Sequence, residues 1–133
     1  MVVLNKIERI LNEMGFEVKR INNGNYDLLS IFLEEDEGFY NPEIIISGYA
    51  KNDEEIKTSL IQFYFELNKG NKTNISNELL KINKHLPYGN LNINENTIYF
   101  KYVSVFTDNS IDNNVIIDIL NVINYISQNY QDK

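Results

Sequence analysis

The side chain best suited to acid–base or metal chemistry in this sequence is its single histidine, His85. A histidine can act as a general base or a metal ligand, but a zinc site needs several ligands, and the chain has no second histidine and no cysteine. His85 stands two residues before Pro87, where a helical pattern gives way to an alternating one. We therefore expect a structural or solvent-facing histidine, whose positive form would complement a helix dipole, and no metal ligand.

Carboxylates are concentrated in two runs, at positions 34–37 and 53–55. A calcium-binding loop of the EF-hand type needs ligands at alternate positions and an internal glycine, and the contiguous run at 34–37 lacks that spacing. Both runs have the composition of solvated turns. If the two turns lie at the same end of a sheet, they would instead form an acidic patch that attracts a basic partner.

The sequence has no signature of a nucleophile or of a phosphate-binding loop. No serine lies in a Gly-x-Ser-x-Gly motif, and the six glycines do not form a phosphate-binding loop. Carboxylates that are distant in sequence could still meet in the fold, so a hydrolase that uses scattered carboxylates is kept as a remote alternative. We predict a protein that is not an enzyme, with no catalytic residue, cofactor or metal.

Composition narrows the classes of partner and the compartment. The formal net charge of −7 disfavours nucleic acids and anionic membrane surfaces and favours a basic protein partner. The absence of cysteine fits a reducing compartment. No apolar run approaches the length of a membrane span, and the charged, amphipathic N-terminus is unlike a signal peptide. We expect a cytoplasmic protein.

Three segments have the three- and four-residue apolar spacing of amphipathic helices. The first is expected to end at Gly15 and the second before Pro87, while Ser110 or Asp112 would cap the third. The apolar stripes are Leu4, Ile7, Leu11 and Met14 in the first segment, Ile75, Leu79, Ile82 and Leu86 in the second, and Val115, Ile119, Val122 and Ile126 in the third.

Alternating apolar and polar residues predict strands over 26–35, 43–50 and 56–67, and a hairpin over 88–106. Short turns between the first three strands indicate an antiparallel meander. The segment after Gly15 is compatible with a short edge strand, which the pattern leaves open.

Helical and alternating segments are segregated along the chain, which is typical of the α+β class. We predict a single α+β domain over residues 1–133, with helices packed on an antiparallel sheet in the order α-β-β-β-α-β-β-α.

The stretch LLKINKHLPYGNLNIN at 79–94 joins the second helix to the hairpin. With the element order, it resembles the type III secretion chaperone-like fold, and within that fold the YbjN-like family of small bacterial proteins. The resemblance implies a non-enzymatic domain that often dimerises and binds other polypeptides. The residues that fit the family pattern are Leu79, Leu80, Asn83, Leu86, Pro87 and Gly89.

Apolar residues also occupy the second faces of the predicted strands. An exposed apolar patch of a few hundred Å² usually marks an interface, although a strongly curved sheet, or a helix on each side, would also explain them. These second-face residues are Leu28, Phe32, Leu60, Tyr64, Tyr99, Val103 and Val105.

We predict a protein-binding module of the chaperone-like class that buries this sheet face against a partner polypeptide, with an acidic rim. A homodimer through the sheet or the final helix is also expected. The alternative is an immunity protein that neutralises a cationic bacterial toxin. The predicted partner-binding residues are Phe32, Phe39, Tyr40, Tyr64, Tyr99, Val103, Glu35, Asp36 and Glu37.

Overall fold

The computed structural model describes residues 2–22, 27–33, 43–50, 58–67, 75–94, 97–107 and 109–129. They form three helices and a six-stranded antiparallel sheet, which confirms the α+β class. In chain order the elements are α1 (Val2–Glu13), β1 (Lys19–Asn22), β2 (Asp27–Phe32), β3 (Glu43–Ala50), β4 (Thr58–Glu66), α2 (Ile75–Asn83), β5 (Asn90–Asn94), β6 (Thr97–Thr107) and α3 (Asn113–Asn129).

The sheet has the strand order β1-β2-β3-β4-β6-β5, and every neighbouring pair is antiparallel. Four strands precede α2, whereas the predicted order counts three. The additional element is β1, the short edge strand that the sequence pattern leaves open. Arg20 of β1 explains why so short a strand pairs, because its guanidinium donates to Asp27 of β2 at 2.9 Å and to Asn5 of α1 at 2.6 Å.

The end of α1 follows directly from a glycine. Gly15 has a φ of +96°, a conformation that glycine adopts without strain. Its N–H donates to the carbonyl of Asn12 at 3.1 Å, and the N–H of Phe16 donates to the carbonyl of Leu11 at 3.0 Å. This hydrogen-bond pair is the Schellman motif that closes helix C-termini. The predicted stop at Gly15 is confirmed.

The first turn of α3 shows which of the two predicted residues is its N-cap. The Asp112 carboxylate accepts a hydrogen bond from the N–H of Val115 at 2.9 Å, which is the N-cap arrangement. Ser110 closes the preceding turn instead, since its hydroxyl oxygen accepts from the N–H of Thr107 at 2.8 Å. Asp112 is therefore the cap.

The junction between α2 and β5 is a corner, as the sequence predicts, but the helix ends at Asn83, before the predicted stop at Pro87. The N–H of His85 bonds to the carbonyl of Ile82 at 3.0 Å, which tightens the last turn. The side chain of His85 is exposed to solvent. Gly89 then reverses the chain into β5 with a φ of +71°.

The core lies between the helices and one face of the sheet, here called the inner face. Register aligns Leu29, Ile46 and Phe63 across three strands on this face. Residues two positions apart in a strand share a face, so the strictly alternating positions of β4 (Ile61, Phe63 and Phe65) all point into the core. The apolar stripes of α1 and α3 pack in the same continuous cluster, although Met14, predicted to be part of the first stripe, is 39% exposed.

Candidate protein-binding face

The face of the sheet opposite to the core, here called the outer face, carries a second set of apolar side chains. Register aligns Leu28, Ser47, Gln62 and Val103 across four strands, with Ile21 of the edge strand at the end of the row. Because side chains alternate along strands, the predicted second-face residues all belong to this face. They are Leu28, Phe32, Leu60, Tyr64, Tyr99, Val103 and Val105.

Four apolar side chains of the outer face are exposed to solvent. Val103 and Val105 are 40% and 46% exposed, Ile21 is 42% exposed and Phe32 is 54% exposed. Leu28, Leu60, Tyr64 and Tyr99 are half-buried by their neighbours on the same face. The values show that the helices leave these positions open, in contrast to the buried inner face.

Tyr64 and Tyr99 form an aromatic pair on adjacent strands, with ring centroids 5.4 Å apart. The Tyr64 hydroxyl donates a hydrogen bond to the Glu66 carboxylate at 3.0 Å. Burial, followed by this hydrogen bond, raises the pKa of Tyr64 to about 12, because both favour the protonated phenol. Tyr64 therefore stays protonated at neutral pH, and its hydroxyl contact with Glu66 holds the ring beside Tyr99.

The predicted residues do not form one contiguous cluster. Phe32 lies on β2, and β3 separates it from Tyr64 on β4. Strands are about 4.8 Å apart, so Phe32 lies roughly 10 Å from the strand of Tyr64. Val103 is closer to Tyr64, because it lies on the adjacent strand β6, two residues from Lys101, the register partner of Tyr64. The predicted loop residues Glu35, Asp36, Glu37, Phe39 and Tyr40 fall outside the described residues.

The described part of the outer face carries charges of both signs. Register assigns Lys19 and Glu43 to the β1–β3 end of this face, and Glu66 and Lys101 to the β4–β6 end. The acidic rim expected from the sequence therefore does not come from these strand residues. That expectation rests on the carboxylate runs at 34–37 and 53–55, which lie outside the described residues.

A cavity that sequence reasoning missed lies at the β1–β3 end of the sheet, with a volume of about 890 Å³. Its lining combines the end of α1, the connection to β1, outer-face residues of β1 to β3, and α3, so the cavity passes around the edge of the sheet. The lining residues are Met14, Gly15, Phe16, Glu17, Lys19, Ser30, Phe32, Leu33, Glu43, Ile117, Leu120, Asn121 and Asn124.

A buried serine fixes one acidic group of this cavity. Ser30 is only 4% exposed, and its hydroxyl donates to the Glu43 carboxylate at 2.6 Å. The only sequence signal for this contact is a serine in the otherwise apolar run LLSIFL. The cavity depends on strands and helices that are distant in sequence, so local patterns do not reveal it.

The described residues contain no group of three or more histidine, cysteine, aspartate or glutamate side chains placed to hold a metal ion. Among the helices built from those residues, none is both long and apolar enough to cross a membrane. His85, the predicted solvent-facing histidine, has an exposed side chain at the end of α2.

No protein-family model matches the chain, and a search of curated proteins finds no match.

Proposed function

We propose that this chain is a non-catalytic protein-binding module that binds a partner polypeptide through the outer face of its sheet. The observation that carries the proposal is the exposure of apolar side chains across that face, from Ile21 and Phe32 at one end to Val103 and Val105 at the other. Exposed apolar side chains grouped on one face are costly in water and are typical of interaction sites. A partner that covers them gains the free energy of burying apolar surface.

The chemistry of the face and of the whole chain defines the partner. The Tyr64–Tyr99 pair and the valines of β6 suit aliphatic and aromatic side chains. The net charge of −7 attracts a basic polypeptide and accelerates its encounter with the chain. We therefore propose a partner that is basic overall and that presents apolar side chains to the outer face.

The resemblance of residues 79–94 to the YbjN-like family supports a secretion-chaperone-like form of this function. In that form the module is cytoplasmic and binds a partly unfolded segment of its partner. An immunity protein would use the same acidity against a folded cationic toxin. The two forms differ in whether the bound partner is partly unfolded or folded, and hydrogen exchange of the partner distinguishes them.

The test is affinity purification of the tagged chain from its native host, comparing wild type with two variants. Val103→Lys places a charge on the outer face, and Leu80→Lys makes the same charge change on α2, where Leu80 is 71% exposed. We expect wild type and Leu80→Lys to retain one stoichiometric basic partner, and Val103→Lys to lose it. Circular dichroism checks that both variants are folded.

Hydrogen exchange of the recovered partner distinguishes an unfolded segment from a folded domain. Sedimentation of the purified chain tests a homodimer, which Val103→Lys would dissociate and Leu80→Lys would leave intact if the copies pair through the outer face. Equal retention of the partner by both folded variants would overturn the proposal.

A further inference from the structure

Two of the residues that line the cavity place an aromatic ring beside a carboxylate. Phe32 and Glu43 are register partners on β2 and β3, so their side chains lie side by side on the outer face. Phe32 is 54% exposed, and the Glu43 side chain is also exposed. A ring and a carboxylate in this arrangement offer two different attractions to the same cation.

The carboxylate is held in position by a group that cannot easily move. Ser30 is buried, and its hydroxyl donates to one oxygen of Glu43 at 2.6 Å. This hydrogen bond restricts the rotamers of Glu43 before any ligand arrives, which lowers the entropic cost of binding. The described residues contain no ion pair to Glu43, so in this part of the chain its charge is not neutralised by a basic side chain.

The cavity that this pair lines has space for an apolar group. Its lining includes the apolar residues Phe16, Leu33 and Leu120, and its volume of about 890 Å³ exceeds that of one side chain. Among the described residues that line the cavity, Glu17 and Glu43 are anionic and Lys19 is cationic. The charge balance of the lining therefore favours a cationic ligand with apolar neighbours.

We infer that the Phe32–Glu43 pair binds an arginine side chain of the partner polypeptide, and that an apolar residue next to this arginine enters the cavity. This inference rests on the proposed function and names the chemistry of one contact. Arginine fits better than lysine, because its planar guanidinium stacks on a ring and bonds a carboxylate with two N–H groups. The positive charge of Lys19 repels an arginine, so removing this charge is a second test of the site.

The experiment titrates the isotope-labelled full chain with the acetylated, amidated peptide Ala-Leu-Arg-Leu-Ala and follows backbone amide shifts by NMR. The control peptide carries citrulline, a neutral analogue of arginine of the same shape. We expect shifts centred on Ser30, Phe32 and Glu43, with binding of the citrulline peptide about fivefold weaker, as for a partly exposed ion pair.

Variants assign the effect to the proposed groups. Glu43→Gln should weaken binding of the arginine peptide about fivefold and leave the affinity for the citrulline peptide unchanged. Asp118→Asn, which removes one exposed carboxylate on α3 and lies off the outer face, should leave the binding of both peptides unchanged. Lys19→Gln should strengthen binding of the arginine peptide, because it removes a positive charge that repels the arginine.

Equal affinity of the two peptides, or no shift at Ser30 and Glu43, would overturn the arginine site. If the peptide shifts only the amides around Tyr64 and Tyr99, the arginine site is wrong while the outer-face proposal stands. Failure of the outer-face proposal is detected separately, by partner retention in Val103→Lys.

Discussion

The side-chain amide of Asn83 bonds to both backbone polar groups of Leu91. The Asn83 nitrogen donates to the Leu91 carbonyl at 3.0 Å, and the Leu91 N–H donates to the Asn83 side-chain oxygen at 2.8 Å. Leu91 lies on β5, the last strand of the sheet order, so these groups face the free edge. The amide of Asn83 occupies the place that a neighbouring strand would take, which joins α2 to β5 and covers part of an edge open to strand pairing.

Asn83→Ala is expected to destabilise the protein by about 1–3 kcal/mol, because it leaves an N–H and a carbonyl of Leu91 without their partners. Chemical denaturation measures the change in the free energy of unfolding. The control is Asn92→Ala, since within the described part of the chain the half-buried Asn92 side chain makes a single, long 3.4 Å hydrogen bond, to the carbonyl of Asn90. Equal effects of the two substitutions would contradict a structural role of the Asn83 amide.

Gly89→Ala is expected to be more destabilising than Gly15→Ala. Both glycines have positive φ, which costs alanine about 1–2 kcal/mol. Only at Gly89 would the added Cβ also clash, lying 2.5 Å from the Phe100 ring and 2.8 Å from the Lys101 carbonyl oxygen, while at Gly15 nothing lies within 4 Å. Overpacking of this kind adds about 1–3 kcal/mol. Similar unfolding free energies of the two variants would contradict the close approach at Gly89.

Tyr64 is expected to ionise later than an ordinary tyrosine, at a pKa of about 12 against a reference value of 10.0. Because the folded-state pKa is raised, its contribution to stability is complete below about pH 10 and is lost as the pH rises towards 12. The difference between the tyrosinate absorbance of wild type and Tyr64→Phe isolates this group. Glu66→Gln should lower the pKa of Tyr64, since it removes a charge that opposes ionisation. A Tyr64 pKa near 10 in the folded chain would contradict the Tyr64–Glu66 contact.

His85→Asn is expected to leave stability within about 0.5 kcal/mol of wild type, because the side chain is exposed. Partner retention in the affinity purification should also be unchanged. Loss of the partner by a folded His85→Asn variant would show that the histidine has a functional role, against the prediction.

Local patterns predicted the elements whose formation depends on their own residues. The stop at Gly15 follows from the preference of glycine for positive φ and is observed, and the cap of α3 is Asp112, one of the two residues that the sequence offered. The alternation in β4 correctly predicted its buried face, because side-chain direction in a strand has a period of two. Asn83 and Gly89 appeared only as parts of a family-like pattern, and the structure gives each a physical role.

The sequence by itself determined the class of fold, the positions of most helices and strands, and the presence of a second apolar strand face, since periodicity, caps and turn residues are properties of short segments. Only the tertiary structure decided that β1 pairs, that β6 inserts between β4 and β5, and that Ser30 and Glu43 meet at a cavity that α3 also lines. These relationships join segments that are distant along the chain. They are selected by burial of the common core and by contacts such as that of Arg20 with Asp27, which no local pattern records.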